Sequence, residues 1–281
     1  MNSKSAQRSS RPGIADKRRL FKQLHESGCF LIPNPWDVGS AVYLQSLGFK
    51  ALASTSSGLA WSLGRPDNAL SRDQVICSLR ELVAATDVPL NADFESGFGA
   101  SPAEVADSVS LAVDTGVAGL SIEDSTGDEA APLFDLDAAV QRLRAARAAI
   151  DRAGSETLLV ARAECFLVGR SDLGETIDRL QAYAEAGADC LYAPGLPGAT
   201  EIRAVVAAVA PKPVNVLVGS ASRLSFQALT DMGVRRVSVG GALARVAWGG
   251  FMQAARLLAE QSSFDGFAGA PGHGDLDRLF V

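Results

Sequence analysis

The chain has 281 residues, of which 47% are hydrophobic and 21% charged, enough apolar material for a large core and too much for a disordered chain. A formal net charge of −6 and the lack of any dense Lys/Arg cluster leave no nucleic-acid partner expected. No apolar run is long enough to cross a bilayer and the four cysteines, Cys29, Cys77, Cys165 and Cys190, form no CxxC pair, so the expectation is a soluble protein of the reducing cytoplasm with no membrane partner, zinc knuckle or redox motif.

Taken in chain order, residues 1–13 (MNSKSAQRSSRPG) are basic and polar, lack the apolar stretch of a signal peptide and read as a flexible leader. Residues 14–262 read as one domain. An early helix holds His25, and from residue 29 eight short β-prone runs alternate with eight helical segments without a linker. The expected strands are FLIP (30–33), ALAST (51–55), PLNADF (89–94), GLSIED (119–124), LLVARA (158–163), CLYAP (190–194), VNVLV (214–218) and RVSVG (236–240). The expected helices lie at about 38–47, 71–86, 102–115, 136–153, 173–186, 199–209, 222–232 and 242–261. Ser71 and Ser101-Pro102 supply helix starts, and Gly48, Gly116, Gly187 and Gly233 stand where a left-handed residue ends a helix before the next strand. This periodicity predicts an α/β fold of the (β/α)8 TIM-barrel class. An open doubly wound sheet would carry a Gly-rich phosphate turn after its first strand, which PNPWDVGS does not supply. The tail, 263–281, is Gly-rich but ends in LFV, and reads either as a flexible end or as an arm for a neighbouring subunit.

In a barrel, the C-terminal ends of the strands converge on one mouth. Strand alternation puts Asn91, Asp93 and Glu95 of NADFESGFG on one face toward the axis, and Ser121 and Glu123 of SIEDS on the matching face of the next strand. Asp67, in the loop after the second strand, adds a further acid. Acids so crowded repel one another unless a cation offsets them, and an oxygen-only set without His or Cys selects Mg2+, with Mn2+ or Ca2+ as alternatives, over zinc. The bland alternative, acids solvated in loops or capping helices, is assigned to Asp124 and Asp128. Arg162, on one face with Glu164, reads either as a fork for a substrate carboxylate or as an internal ion pair with Glu164 or Glu123. Ser56, Ser57 and Gly58 offer hydroxyl and amide donors, Trp36 is the tryptophan best placed to wall the site, and Asn215 and Arg245 are further mouth candidates. Cys165 reads as a packed thiol.

STSSGLAWSLGRPD, NADFESGFG, SIEDSTGD and VARAECF, in this order, resemble the isocitrate lyase/phosphoenolpyruvate mutase superfamily, and the similarity runs from about PNPWD to the eighth helix. The resemblance implies α-oxo-acid chemistry through a Mg2+-bound enolate. It makes Asp93 the direct metal ligand and has Asp67, Glu95 and Glu123 hold the metal mainly through water. Arg162, Ser57, Gly58 and Leu59 would grip the substrate's carboxylate and oxo group, and Arg162, Asp67 and Glu123 are the expected catalytic set. A homotetramer with exchanged C-terminal helices is also implied.

Three departures bear on the reaction. The segment after IED reads STGDEAAPLFDLD, without the Lys-Lys/Arg-Cys-Gly-His acid/base motif of the lyases or the Lys- and Asn-bearing gating loop of the phosphonomutases. The sixth strand ends in Ala193-Pro194-Gly195, and ARAEC replaces Ala-Arg-Thr followed by Asp or Asn. The expectation is a Mg2+-dependent carbon–carbon lyase or decarboxylase on a small α-oxo or hydroxy dicarboxylate. Alternatives are a phosphonopyruvate hydrolase or phosphonomutase-type enzyme and a non-catalytic oxo-acid binder.

Overall fold

Residues 11–280 are described by a computed structural model of the chain. The strands are β1 (Phe30–Ile32), β2 (Leu52–Ala53), β3 (Leu90–Asp93), β4 (Gly119–Glu123), β5 (Leu158–Arg162), β6 (Cys190–Tyr192), β7 (Val214–Leu217) and β8 (Arg236–Ser238). All neighbouring pairs are parallel, in the order β1-β8-β7-β6-β5-β4-β3-β2. The seam between β1 and β2 is spanned by the Ala53 N–H donating to the Pro33 carbonyl at 3.0 Å, so the eight strands form a nearly closed barrel.

The helices are α1 (Ile14–Glu26), α2 (Val38–Ser46), α3 (Ser56–Ser62), α4 (Arg72–Ala85), α5 (Pro102–Asp114), α6 (Leu136–Arg152), α7 (Leu173–Glu185), α8 (Ala199–Val209), α9 (Phe226–Asp231), α10 (Ala242–Gln261) and α11 (His273–Asp277). Local chemistry sets where several of them begin. Ser71, Ser101, Asp135 and Asp172 each accept a hydrogen bond from the backbone N–H three residues on, at 3.3, 3.3, 2.8 and 3.0 Å. Gly48, Gly116, Gly187 and Gly233 sit at φ between 87° and 103°, where a side chain would be strained.

Both faces of the strands are covered, which is why runs such as LLVAR are apolar almost throughout. The outer layer packs Leu90, Leu120 and Leu159 of the strands against Leu82, Val109, Leu143 and Leu180 of the helices. At the N-terminal end of the barrel Phe21 of α1, 0% exposed, packs with Phe30, Ile32, Ala53 and Leu158 and closes the bottom. The Lys17 ammonium ties α1 to the Val83 carbonyl at 3.0 Å.

Two details differ from the sequence reading. The second strand pairs only at Leu52 and Ala53, and the Ser-rich stretch after it is the helix α3, because the Thr55 hydroxyl caps the Gly58 N–H at 3.4 Å. The helix expected over 222–232 shortens to α9. The tail folds into α11 between two short 3-10 turns, and its Phe280 ring lies against Gly39 of the same chain. Of the expected leader, residues 1–10 lie outside the described residues, while the Arg11 guanidinium holds Asp87 at 2.7 Å and the Ala84 carbonyl at 2.9 Å. No described helix is long and apolar enough to cross a membrane.

Candidate active site

Asp93 ends β3 at the barrel mouth, and two hydrogen bonds fix it there. Its N–H donates to the Ser54 hydroxyl at 2.8 Å, and its Oδ2 accepts the Ser56 N–H at 2.9 Å. The second bond comes from the first residue of α3, whose close approach depends on Gly58. A Cβ on Gly58 would lie 2.7 Å from Thr55 Cγ2 and 2.8 Å from Trp36 Cβ.

Register brings the next charges together: Glu123 of β4 pairs with Arg162 of β5, which pairs with Tyr192 of β6. Arg162 Nη1 lies 3.1 Å from Glu123 Oε2 and 3.5 Å from Asp93 Oδ1, while its Nε bonds the Glu164 carboxylate and its Cζ stands 5.0 Å from the Tyr192 ring centroid. The internal ion pair is therefore present, made to both of the expected partners. Arg162 also lines the cavity, so facing a ligand and holding these acids are compatible.

Negative charge is in excess: Asp67, Asp93, Glu123 and Glu164 all feel the Arg162 guanidinium, and Glu95 adds its charge beside Asp93 and Asp67. Burial, then the charges of Asp93 and Asp67, push the Glu95 carboxyl up to about 8. Burial likewise raises Glu123 against the opposing pull of Arg162, and partial burial with the Asp93 charge raises Asp67, whose outer edge remains in solvent. Glu164 is raised by burial, also against Arg162. A cation beside Asp93 would relieve this repulsion. Among the described residues no three acids, histidines or cysteines close into a ready-made cage. Mg2+ needs none: it binds through one or two carboxylates and keeps several waters, so Asp93 with further carboxylates in its neighbourhood fits it.

A polar cavity of about 170 Å³ opens at this mouth. Ser56, Ser57, Asp67, Asp93 and Arg162 are among the residues that line it. Trp36 and Leu59 line a smaller void behind Ser56 instead, with the buried Gly58 packed beside them. Glu123 lies behind Arg162 with Tyr183 and Asp124. Glu95 is not on the cavity wall. Its φ of 46° breaks the extended run at Asp93, so strand alternation does not aim its side chain. Asn215 is 0% exposed and off the cavity wall, accepting from Arg236 Nε at 2.8 Å and donating to the Ser238 hydroxyl at 3.0 Å.

Asp124 also differs from its expectation as a solvated acid. It is 3% exposed and accepts from Tyr183 Oη at 2.6 Å, Arg179 Nη1 at 3.1 Å and the Glu164 N–H at 2.8 Å, which anchors the Glu164 end of the site. Asp128 is the exposed turn acid expected, and Cys165 is buried with its thiol raised by that burial. Arg245, Trp61 and Trp248 do not reach the polar cavity. They line an open apolar groove of about 520 Å³ along α10, with no acid in its wall. Sequence reasoning passed over Asn34, Tyr192 and Arg236, all on the cavity wall. Two of them lie on strands whose alternation places them inside the barrel.

Residues 21–259 match the phosphoenolpyruvate phosphomutase family. An uncharacterized protein of Mycobacterium tuberculosis is 32% identical over 222 residues, covering 78% of this chain and 81% of the relative. The 2-methylisocitrate lyase of Escherichia coli K12 is 32% identical over 189 residues, covering 64% and 61%. A crystal structure from Burkholderia cenocepacia J2315, of a protein classed provisionally as a lyase/mutase, superposes with a TM-score of 0.92 at 46% identity over 95% of this chain and 97% of that one. Oxaloacetate acetylhydrolase with its product oxalate superposes with a TM-score of 0.84 at 25% identity over 95% and 94%.

Proposed function

The chain belongs to the phosphoenolpyruvate phosphomutase family, within the isocitrate lyase superfamily, and on that premise we propose that it is a Mg2+-dependent carbon–carbon lyase or decarboxylase of the cytoplasm acting on a small α-oxo or hydroxy dicarboxylate. The observation that carries this reading is the pair Asp67 and Asp93 on the wall of one cavity with Arg162, with Glu95 and Glu123 crowded around them off that wall. Asp93 would hold the metal directly, and Asp67, Glu95 and Glu123 through water. Bound there, Mg2+ supplies electrophilic stabilisation to the substrate oxygens that gain charge as the carbon–carbon bond breaks.

The chain's own residues supply binding and orientation. The Arg162 contact with Asp93 is the longest of its ion pairs, 3.5 Å, and is the one a cation at Asp93 would loosen, leaving a guanidinium edge for a substrate carboxylate. The Ser57 hydroxyl, 3.1 Å from Thr55 Oγ1, stands on the cavity wall as a donor to an oxo or carboxylate oxygen. The segment 125–133 presents no thiol, amine or imidazole, which favours loss of CO2 or a retro-aldol step assisted by water or substrate over a thiol-dependent cleavage. A homotetramer accords with α10, whose Val246, Phe251 and Met252 are 73%, 62% and 44% exposed in the single chain.

The test is a Mg2+-supplemented screen of short oxo and hydroxy dicarboxylates, read as oxo-acid or CO2 release, on the parent and Asp93→Ala. Turnover of at least one compound is expected, with loss of about a hundredfold or more in the variant. Full activity and Mg2+ affinity in Asp93→Ala would refute the site.

A further inference from the structure

Below the carboxylates, the same cavity reaches a second charged group that the mechanism above does not use. Arg236, the first residue of β8, is 2% exposed, yet none of its side-chain hydrogen bonds among the described residues goes to a carboxylate. Nε donates to Asn215 Oδ1 at 2.8 Å, and Nη1 lies 3.3 Å from Asn91 Oδ1 and 3.5 Å from His25 Nε2. The imidazole adds no counter-charge. Its Nδ1 donates to the Phe21 carbonyl at 2.7 Å, which leaves Nε2 as a neutral acceptor. A guanidinium buried among neutral acceptors bears a large desolvation penalty with no ion pair to offset it. It also borders open space, because Arg236, Asn91 and Ser121 line the cavity that holds Asp93 and Arg162.

We propose that Arg236 is an anion subsite that takes the remote carboxylate of a short dicarboxylate whose other end lies at Asp93 and Arg162. The identity of the ligand rests on the function proposed above. The spacing supports it: Asn91, which the guanidinium touches, lies two residues below Asp93 on the same face of β3, a step of about 6.6 Å at the rise of a parallel strand. A four-carbon dicarboxylate spans such a step, whereas oxalate reaches only the upper end.

The decisive variant is Asn215→Asp. It places a carboxylate against Arg236 from outside the cavity, keeps the side-chain shape and lets the Ser238 hydroxyl turn to donate, so the fold is retained while the free charge is cancelled. Arg236→Met removes the charge at similar volume, and Arg236→Lys should partly restore binding. In chelator, formate titrated into the full-length protein is expected to raise the melting temperature of the parent but not of Asn215→Asp. With Mg2+ present, calorimetric titration should show malate binding weakened about tenfold or more in both Asn215→Asp and Arg236→Met, and oxalate binding unchanged to within about twofold.

No formate response in the parent, an equal response in Asn215→Asp, or equal losses for malate and oxalate would overturn the proposal. Failure of both oxalate and malate to bind the parent in Mg2+ would instead sink the oxo-acid reading and the dicarboxylate assignment with it, while the formate titration reports on Arg236 by itself.

Discussion

Asp93, Glu123 and Arg162 were legible because they end strands, and side-chain alternation together with parallel register fixes where such residues point. Asp124, read as a solvated acid without that rule, is turned outward by it. The outward face of a barrel strand looks onto the helix layer, not onto water, so an acid there must be paired, as it is with Arg179 and Tyr183 of α7. At Glu95 the rule failed: the backbone turns left-handed one residue past where alternation still held. Arg236 went unread because it begins a strand, a position that normally only packs the barrel floor.

His25, on that floor, yields a prediction with a definite sign. Burial, followed by the charge of Arg236, lowers its pKa to about 3 from 6.5, so the folded protein keeps it neutral while the unfolded chain protonates it near 6.5. The stability it contributes is complete above pH 6.5 and is lost as pH falls from there toward 3. Between pH 7.5 and 5.5 the parent should lose about 1 kcal/mol relative to His25→Gln in urea unfolding. The comparison must be made as a difference between the two proteins. Glu95, raised to about 8, contributes the opposite slope in both, destabilising increasingly as pH rises from 4.5 through 8. Parallel pH profiles for parent and variant would show that His25 titrates normally in the fold.

Among the elements, the recurring helix–glycine–strand phrase made seven of the eight expected barrel helices readable to within a few residues, because caps and left-handed glycines are local chemistry. The helix expected over 222–232 was the exception, realised only as the short α9. The α3 helix was not readable. Its residues, SSGLAWS, carry no helical period, and it exists because Thr55 caps it and the Asp93 carboxylate takes its first N–H. This makes α3 part of the site as well as of the fold. Gly58→Ala should therefore cost about 1–3 kcal/mol in chemical unfolding, from overpacking against Thr55 and Trp36, and should weaken Mg2+ binding as Ser56 is displaced from Asp93. A Gly58→Ala protein with unchanged stability and Mg2+ affinity would separate α3 from the metal site.

On the scale of the whole molecule, the eightfold alternation gave the barrel, but not the helix that plugs its floor. Helix α1 stands outside the repeat, and its place comes from tertiary contacts, the packing of Phe21 against Phe30 and Leu158 and the bond from Lys17 to the Val83 carbonyl. The exposed face of α10 carries Trp248 and Phe251, their ring centroids 5.5 Å apart, beside an apolar groove that a single chain leaves open. Light scattering is expected to give a tetramer for the parent and smaller species for Phe251→Glu. A monomeric parent would leave that face without the partner assigned to it.

The claim on which the functional reading turns is that the acids around Asp93 share one divalent cation that in turn holds an oxo acid. Anomalous diffraction from crystals soaked with Mn2+ and oxalate tests it most directly. One strong peak within coordination distance of Asp93, with oxalate bound to it and facing Arg162 and Ser57, is the expected result. Full-occupancy Mn2+ bound elsewhere, or oxalate seated without a cation beside Asp93, would contradict it.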